Sequence, residues 1–330
     1  MLQQTHLARS RKHSLMLISP DYRIVVSTLG WVDKSSLWTY DVVKESVNQI
    51  PLGNANYLSL YACKDTHQFA VLHHSDGDLI RLTVHAFENP AIPLCTIEKS
   101  ADQSQVEGNP DLLHHAPRYY VAYYDPGHDA DFYLISIDPS QQQIQTERFD
   151  WYDNSYDKMY QGIVGVIENP SGELIVSVQR DSTPIVYDPK TKKVLKKLTL
   201  ANRHGNPKFR LTKHRGEIWA DDYDTILKMD VDTLTIKGSR RMQASLTGSA
   251  EFIGDWSFDE EESLCLVSRP FSGDVAAIST DNLKTRFVAS TGGQPIEAIF
   301  LNNGKLIGRD WKTGNPLMGS LQRKWFTSWN

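Results

Sequence analysis

The residues best suited to chemistry in this chain are histidines, arginines and aspartates that recur in short polar turns between apolar runs. Along the chain these turns offer His73, His74 and Asp76, then Asp125, His128, Asp129 and Asp131, then Arg180 and Asp181. They continue with Asp221, Asp222 and Asp224, then Arg269 and Asp274, then Arg309 and Asp310. A histidine beside a carboxylate supplies a general acid and base, or ligands for a divalent metal. On that ground His73, His74 and Asp222 are the catalytic candidates. Arginine presents a planar fork of donors that matches carboxylate and phosphate groups, so Arg180, Arg269 and Arg309 are candidates for anion binding. The same residue types also serve structure alone: Asp and Gly suit tight turns, and Arg pairs with Asp between neighbouring elements. That is their commoner use.

A different kind of surface lies at DWYDNSYDKMY, residues 150–160, which sets four aromatic rings among three aspartates. Trp and Tyr dominate the energetics of protein interfaces. Trp151, Tyr152, Tyr156 and Tyr160, with Asp153 and Asp157, are therefore a candidate contact surface. The spacing of Tyr152, Tyr156 and Tyr160 also suits one face of a short helix. The competing role for the rings is to cover a seam between two structural units.

Other chemistry finds little footing. The chain contains no GxSxG elbow, P-loop or dinucleotide fingerprint, and no histidine adjoins Cys63, Cys95 or Cys265. DPGHDAD, residues 125–131, spaces its carboxylates like a calcium loop but lacks the closing Glu, so it reads as a hairpin turn. His114 and His115 have no matching ligand spacing and read as a connection. Neither a metal nor a cofactor is expected.

Strands must position these turns. Long amphipathic helix patterns are missing, whereas short β-rich runs broken by Gly, Pro, Asp and Asn recur from end to end. One unit repeats: an apolar strand, a polar turn, then a second strand often ending in Asp. It ends at Asp41, Thr83, Asp138, Asp188, Asp230, Ser279 and Leu321, giving spacings of 42, 55, 50, 42, 49 and 42 residues. Periods in the forties with about four strand-like runs per unit predict a β-propeller, because one four-stranded blade cannot bury both faces alone. Seven copies predict seven blades, with six as the alternative count. A single domain over residues 1–330 is expected, its termini meeting to close the ring, with Leu15–Ile18 sharing the last blade. The turns above would then line one rim, and DWYDNSYDKMY would be an insertion between blades.

The unit VYDPKTKKVLKKLTL, residues 186–200, resembles the YVTN-type propeller repeat, in which an Asp-Pro turn joins two outer strands. The resemblance implies a seven-bladed propeller of the YVTN and quinoprotein-like superfamily. Such repeats specify a fold and not an activity.

The formal net charge is -5 and the basic residues are scattered, which argues against nucleic acid as a partner. Three distant cysteines without a CxxC pair fit a reducing compartment. No run approaches the length of a membrane span, and the N-terminal apolar run is too short and mixed for a signal peptide. The expectation is a cytoplasmic, non-enzymatic propeller that binds another protein, in one form an inhibitor or immunity-type protein. The alternative is a lyase or hydrolase acting on an anionic or sugar-like small molecule.

Overall fold

The computed structural model describes residues 16–21, 23–29, 35–53, 57–63, 67–75, 79–100, 111–115, 118–125, 131–138, 143–149, 163–178, 181–188, 190–191, 193–198, 209–212, 215–243, 251–259, 261–301, 305–310, 312 and 316–320. Among these residues all regular structure is β, in seven antiparallel sheets whose strands follow one another in chain order.

Sheet I is Met16–Ile18, Ile24–Leu29, Ser35–Asp41 and Ser46–Gly53; sheet II is Tyr57–Cys63, Gln68–Ser75, Leu79–Ala86 and Asn89–Ser100. Sheet III is Asp111–His115, Arg118–Asp125, Asp131–Asp138 and Gln143–Phe149; sheet IV is Ile163–Glu168, Leu174–Val178, Asp181–Asp188 and Lys193–Lys197. Sheet V is Phe209–Leu211, Ile218–Asp222, Thr225–Met229 and Ile236–Arg241; sheet VI is Trp256–Phe258, Leu264–Arg269, Asp274–Ser279 and Thr285–Ser290. Sheet VII shows three strands among the described residues, Pro295–Phe300, Lys305–Asp310 and Pro316–Ser320. The chain divides into two compact units, Met1–Leu211 and Thr212–Asn330, with the boundary after the first strand of sheet V.

The repeated unit of the sequence is the second and third strand of every sheet. Met16–Ile18, expected to join the last blade, instead pairs with Ile24–Leu29 as the first strand of sheet I. Sheet I thus draws all four strands from residues 16–53.

Strand burial explains the pattern. Sheet VI is covered on both faces, so alternate side chains enter two different cores. Cys265, Val267, Ala276 and Ile278 pack with Trp219, Ile226 and Trp256 on one side. Leu266, Val275 and Ala277 pack with Ala298 and Leu306 on the other. A strand buried on both faces reads as an apolar run and not as an alternation, as in CLV and VAAI. The fourth strands of sheets V and VI lie outermost and are largely exposed, which is why IKGSRR and TRFVAS are polar.

A meander puts the 1–2 and 3–4 turns at one end of each sheet and the 2–3 turn at the other. The first end is capped by short side chains that accept backbone N–H groups. Ser19 Oγ accepts from Arg23 and Ile24, Asn169 Oδ1 from Ser171 and Glu173, and Asp259 Oδ1 from Leu264. At the 3–4 turns Asp41 accepts from Val43 and Lys44, Asp188 from Lys190, and Asp230 from Asp232 and Thr233. The strand-ending Asp of the repeat is therefore the cap of the next turn. The Lys237 ammonium, then the Thr233 N–H, hold the Asp230 carboxyl well below the usual carboxylate range. The 2–3 ends carry different chemistry.

Candidate functional site

In sheet V the second strand ends on Asp221 and Asp222, and Asp222 faces Thr225 across the ladder. Tyr223 and Asp224 are all that remains for the turn, and so tight a hairpin demands positive φ. Tyr223 supplies it at φ 56°, a left-handed backbone that costs a non-glycine residue about 1 kcal/mol. Several bonds hold it there. Ile253 N–H donates to the Tyr223 carbonyl at 3.0 Å and Met242 N–H to the Asp224 carbonyl at 2.6 Å. The Asp224 carboxylate accepts from the Thr225 hydroxyl at 2.8 Å and from Arg241 Nε at 2.7 Å. Asp221 accepts the indole N–H of Trp256 at 3.1 Å.

In sheet VI Arg269 and Asp274 are register partners across the second and third strands. The guanidinium donates from Nε and Nη2 to the two Asp274 oxygens at 2.7 and 2.8 Å, and from Nη1 to the Gln243 carbonyl at 2.7 Å. Both side chains are buried, so the pair is a bidentate internal clamp across the turn. The turn itself is held from below by Glu251, which is 0% exposed. Its Oε1 accepts Phe271 N–H at 3.0 Å and its Oε2 accepts the Ser272 hydroxyl at 2.7 Å. The neighbouring Gly254 N–H donates to Ser268. One short connection, residues 251–254, thus stitches both turns together.

The carboxylates and Arg269 face inward, while aromatic rings face outward. Tyr223 is 43% exposed and Phe271 53% exposed. Buried Phe252 lies between them, with ring centroids 5.8 Å from Tyr223 and 6.2 Å from Phe271. Two outward rings on braced turns are suited to gripping a partner more than to moving a proton.

In sheet VII Arg309 faces Glu297 across the ladder, and both are buried. Burial pulls the Arg309 guanidinium below its usual value, and the Glu297 charge opposes that shift. Asp310 closes its turn by accepting N–H groups of Gln294 and Lys312, each at 2.9 Å.

No known family model matches this chain, and no curated protein matches its sequence. Solved structures do match its shape. The β-propeller domain of Cps50 (Swd1) from Myceliophteria thermophila aligns with a TM-score of 0.69 at 11% identity, covering 95% of this chain and 97% of that one. The WD40 domain of Toxoplasma gondii coronin gives 0.63 at 8% identity, over 94% of this chain and 81% of that one. A putative 6-phosphogluconolactonase from Bacteroides fragilis gives 0.60 at 13% identity, over 91% of this chain and 93% of that one.

The chain folds as a β-propeller. At such low identity the likeness carries the fold alone, and propellers serve unrelated functions.

Within this propeller the residues singled out by sequence all fall at or beside 2–3 turns where they are described. His73 is 4% exposed in the second strand of sheet II. Its Nε2 lies 3.1 Å from Thr83 Oγ1, which also lies 2.8 Å from His85 Nε2. His85 Nδ1 lies 2.9 Å from the Pro90 carbonyl, which can only accept. A neutral His85 therefore donates from Nδ1 and takes the Thr83 hydroxyl proton at Nε2, leaving the Thr83 oxygen to accept from His73. Burial foremost, then the charges of Arg81 and His85, lowers the His73 pKa to about 4. His74 occupies the next position of the same strand, opposite Tyr57 and Ile80. Asp222 is buried at the sheet V turn. Trp151, Tyr152, Asp153, Tyr156, Asp157, Tyr160 and Arg180 lie outside the described residues. Among the described residues no group of three or more His, Cys, Asp or Glu side chains is placed to hold a metal ion, and no helix is long and apolar enough to cross a membrane.

Sequence reading passed over Glu251, Tyr223 and Phe271. The signal for the rings was an aromatic at the apex of a turn, between Asp222 and Asp224 in one case and beside Ser272-Gly273 in the other. A turn tip has no core to fill, so a ring there is available for contact.

Proposed function

We propose that this chain is a seven-bladed, YVTN-like propeller that acts as a non-enzymatic scaffold and binds another protein through the 2–3 turn end of sheets V and VI. The observation that carries this reading is the pair of outward rings, Tyr223 and Phe271, on turns braced by the connection 251–254, through Ile253 N–H in one case and the buried Glu251 carboxylate in the other. Exposed aromatics held rigid lose little entropy on binding, which is what interface anchors require. The seven sheets support the blade count, and the Asp188 turn of sheet IV supports the YVTN-like repeat. A lyase or hydrolase working through His73 draws less support, because that imidazole is buried and hydrogen-bonded within its sheet.

The test is recovery of the native partner on the tagged full chain. Tyr223→Asn with Phe271→Ser removes both rings and keeps turn-compatible residues, so the fold is expected to survive by circular dichroism. Recovery is expected to fall at least about tenfold, the order of two lost anchors. Undiminished recovery would reject this surface. Trp151→Ala with Tyr156→Ala, run alongside, tests the stretch 150–160 as the contact.

A further inference from the structure

The hydrogen-bonded chain inside sheet II runs along one face of the sheet, from His73 near the 2–3 turn to Pro90 at the start of the outermost strand. Phe69, Val71 and His73 of the second strand lie opposite His85, Thr83 and Arg81 of the third, so these side chains share that face. The His85 ring stacks on Phe69, with centroids 5.2 Å apart. From sheet I, Val26 and Leu37, with Ile24, Ile50 and Leu52, pack against Phe69 and Val71. Among the described residues, few groups near the chain carry charge at or below neutral pH. Arg81 lies beside His73 and pairs with Glu98 of the outermost strand. At the other end are the exposed His67–Glu88 pair and, from the turns of sheet I, Asp21 with Arg23 and Asp41 with Lys44.

Only one arrangement of protons satisfies the neutral chain: His85 donates from Nδ1 to Pro90, Thr83 donates to His85 Nε2, and His73 donates from Nε2 to Thr83. One added proton reverses it. His73 gains the proton at Nδ1 and passes its Nε2 proton to the Thr83 oxygen, and Thr83 passes its own hydroxyl proton to His85 Nε2. Among the described residues nothing hydrogen-bonds His73 Nδ1, which leaves that atom open to the incoming proton. Every bond keeps its two heavy atoms, and the positive charge comes to rest on His85.

His85 is the better place for the charge. Both of its nitrogens then donate to oxygen, whereas His73 has the Arg81 guanidinium as its neighbour. Burial lowers the affinity of both imidazoles for a second proton; Arg81 and His85 add to this at His73, and Pro90 opposes it at His85. From this geometry we propose that His73, Thr83 and His85 form a proton relay through the core of sheet II, in which one proton taken up by the chain appears as an imidazolium on His85. The relay converts acidity at the 2–3 turn end into charge at the start of the outermost strand. It is independent of partner binding at sheets V and VI.

NMR of the histidine ring nitrogens tests it, on the full-length protein labelled with nitrogen-15 at histidine. His73→Gln and His85→Gln assign the two rings among the 11 histidines. Near neutral pH His85 is expected as the Nδ1–H tautomer and His73 as Nε2–H. As pH falls, His85 is expected to become the imidazolium with a midpoint below 6.5, and His73 to change to Nδ1–H with that same midpoint. Thr83→Val keeps the branched shape and removes the hydroxyl. His73 is then expected to keep one tautomer while His85 titrates, and the proton affinity of His85 to fall at least about threefold with the loss of the Thr83 acceptor. Thr83→Ser is expected to behave as wild type. The proposal would be overturned by a wild-type His73 that keeps Nε2–H while His85 charges, by a His73 that becomes the imidazolium first, or by rings that still change together in Thr83→Val. Should Thr83→Val fail to fold, the titrations of wild type and Thr83→Ser decide.

Discussion

A histidine holds its second proton near neutral pH only where water or an anion can stabilise the imidazolium. Among the described residues His73 has neither: it is buried, and its polar surroundings are the Thr83 oxygen, the His85 imidazole and the Arg81 guanidinium. In the unfolded chain its pKa returns to 6.5. A basic group depressed from 6.5 to about 4 leaves the unfolded state holding more protons between those values, so stability falls as pH drops through that window and levels off below it. Between pH 7 and 4.5 this one group costs about 2 kcal/mol. Urea denaturation of wild type and His73→Gln at both pH values isolates it. The wild type is expected to lose about 2 kcal/mol more than the variant, whatever the carboxylates contribute to both. An equal loss would mean that His73 is reached by water. The sequence pattern assigns this histidine to a polar turn, whereas it lies two residues inside the strand Gln68–Ser75, and the type of residue carries no record of its burial. Arg269 is similar: its fork suits an anion, and the anion it holds is Asp274 of the same hairpin.

Among the elements, the paired second and third strands were legible because burial on both faces demands continuous apolar runs, broken by turn residues at a fixed interval. The first strands were not. Three of them, Met16–Ile18, Phe209–Leu211 and Trp256–Phe258, are three residues long and too short to show any period. The connection 251–255 was invisible for another reason: it has no regular structure, yet most of it is buried. Gly254 shows how closely it fits. A Cβ there would lie 2.5 Å from the Ile296 carbonyl oxygen and 3.0 Å from the Ile296 Cα, and backbone cannot yield as a flexible side chain does. Gly254→Ala is therefore expected to destabilise the protein by about 1–3 kcal/mol, the usual cost of overpacking a filled site. Urea midpoints at unchanged m-value measure this. A neutral result would show that the connection shifts away from Ile296 at little cost.

For the molecule as a whole, the same fold appears in a coronin domain and in a putative lactonase, so recognition must reside in what the sheets hold up and not in the sheets. Sheets V and VI present two chemically distinct ends. One is tied down by Asp230 and Asp259, which spend their oxygens on their own backbone; the other keeps most of its carboxylates buried and turns rings outward. This asymmetry confines the proposed contact surface to one end. Exposed apolar residues are available elsewhere as controls: Val43 at a 3–4 turn, and Leu195, Ile236 and Met318 on outer described strands. Scattered single apolar residues of this kind are ordinary on a protein surface. Replacing each of these four with Ala is expected to leave recovery of the native partner within about twofold, against about tenfold for removal of the two rings. Partner recovery on the four tagged variants checks it. Should Val43→Ala or Leu195→Ala weaken binding as much as the loss of both rings, the contact surface would extend to the capped end or the outer wall. The division of labour between the two ends would then fail, even with Tyr223 and Phe271 still in contact.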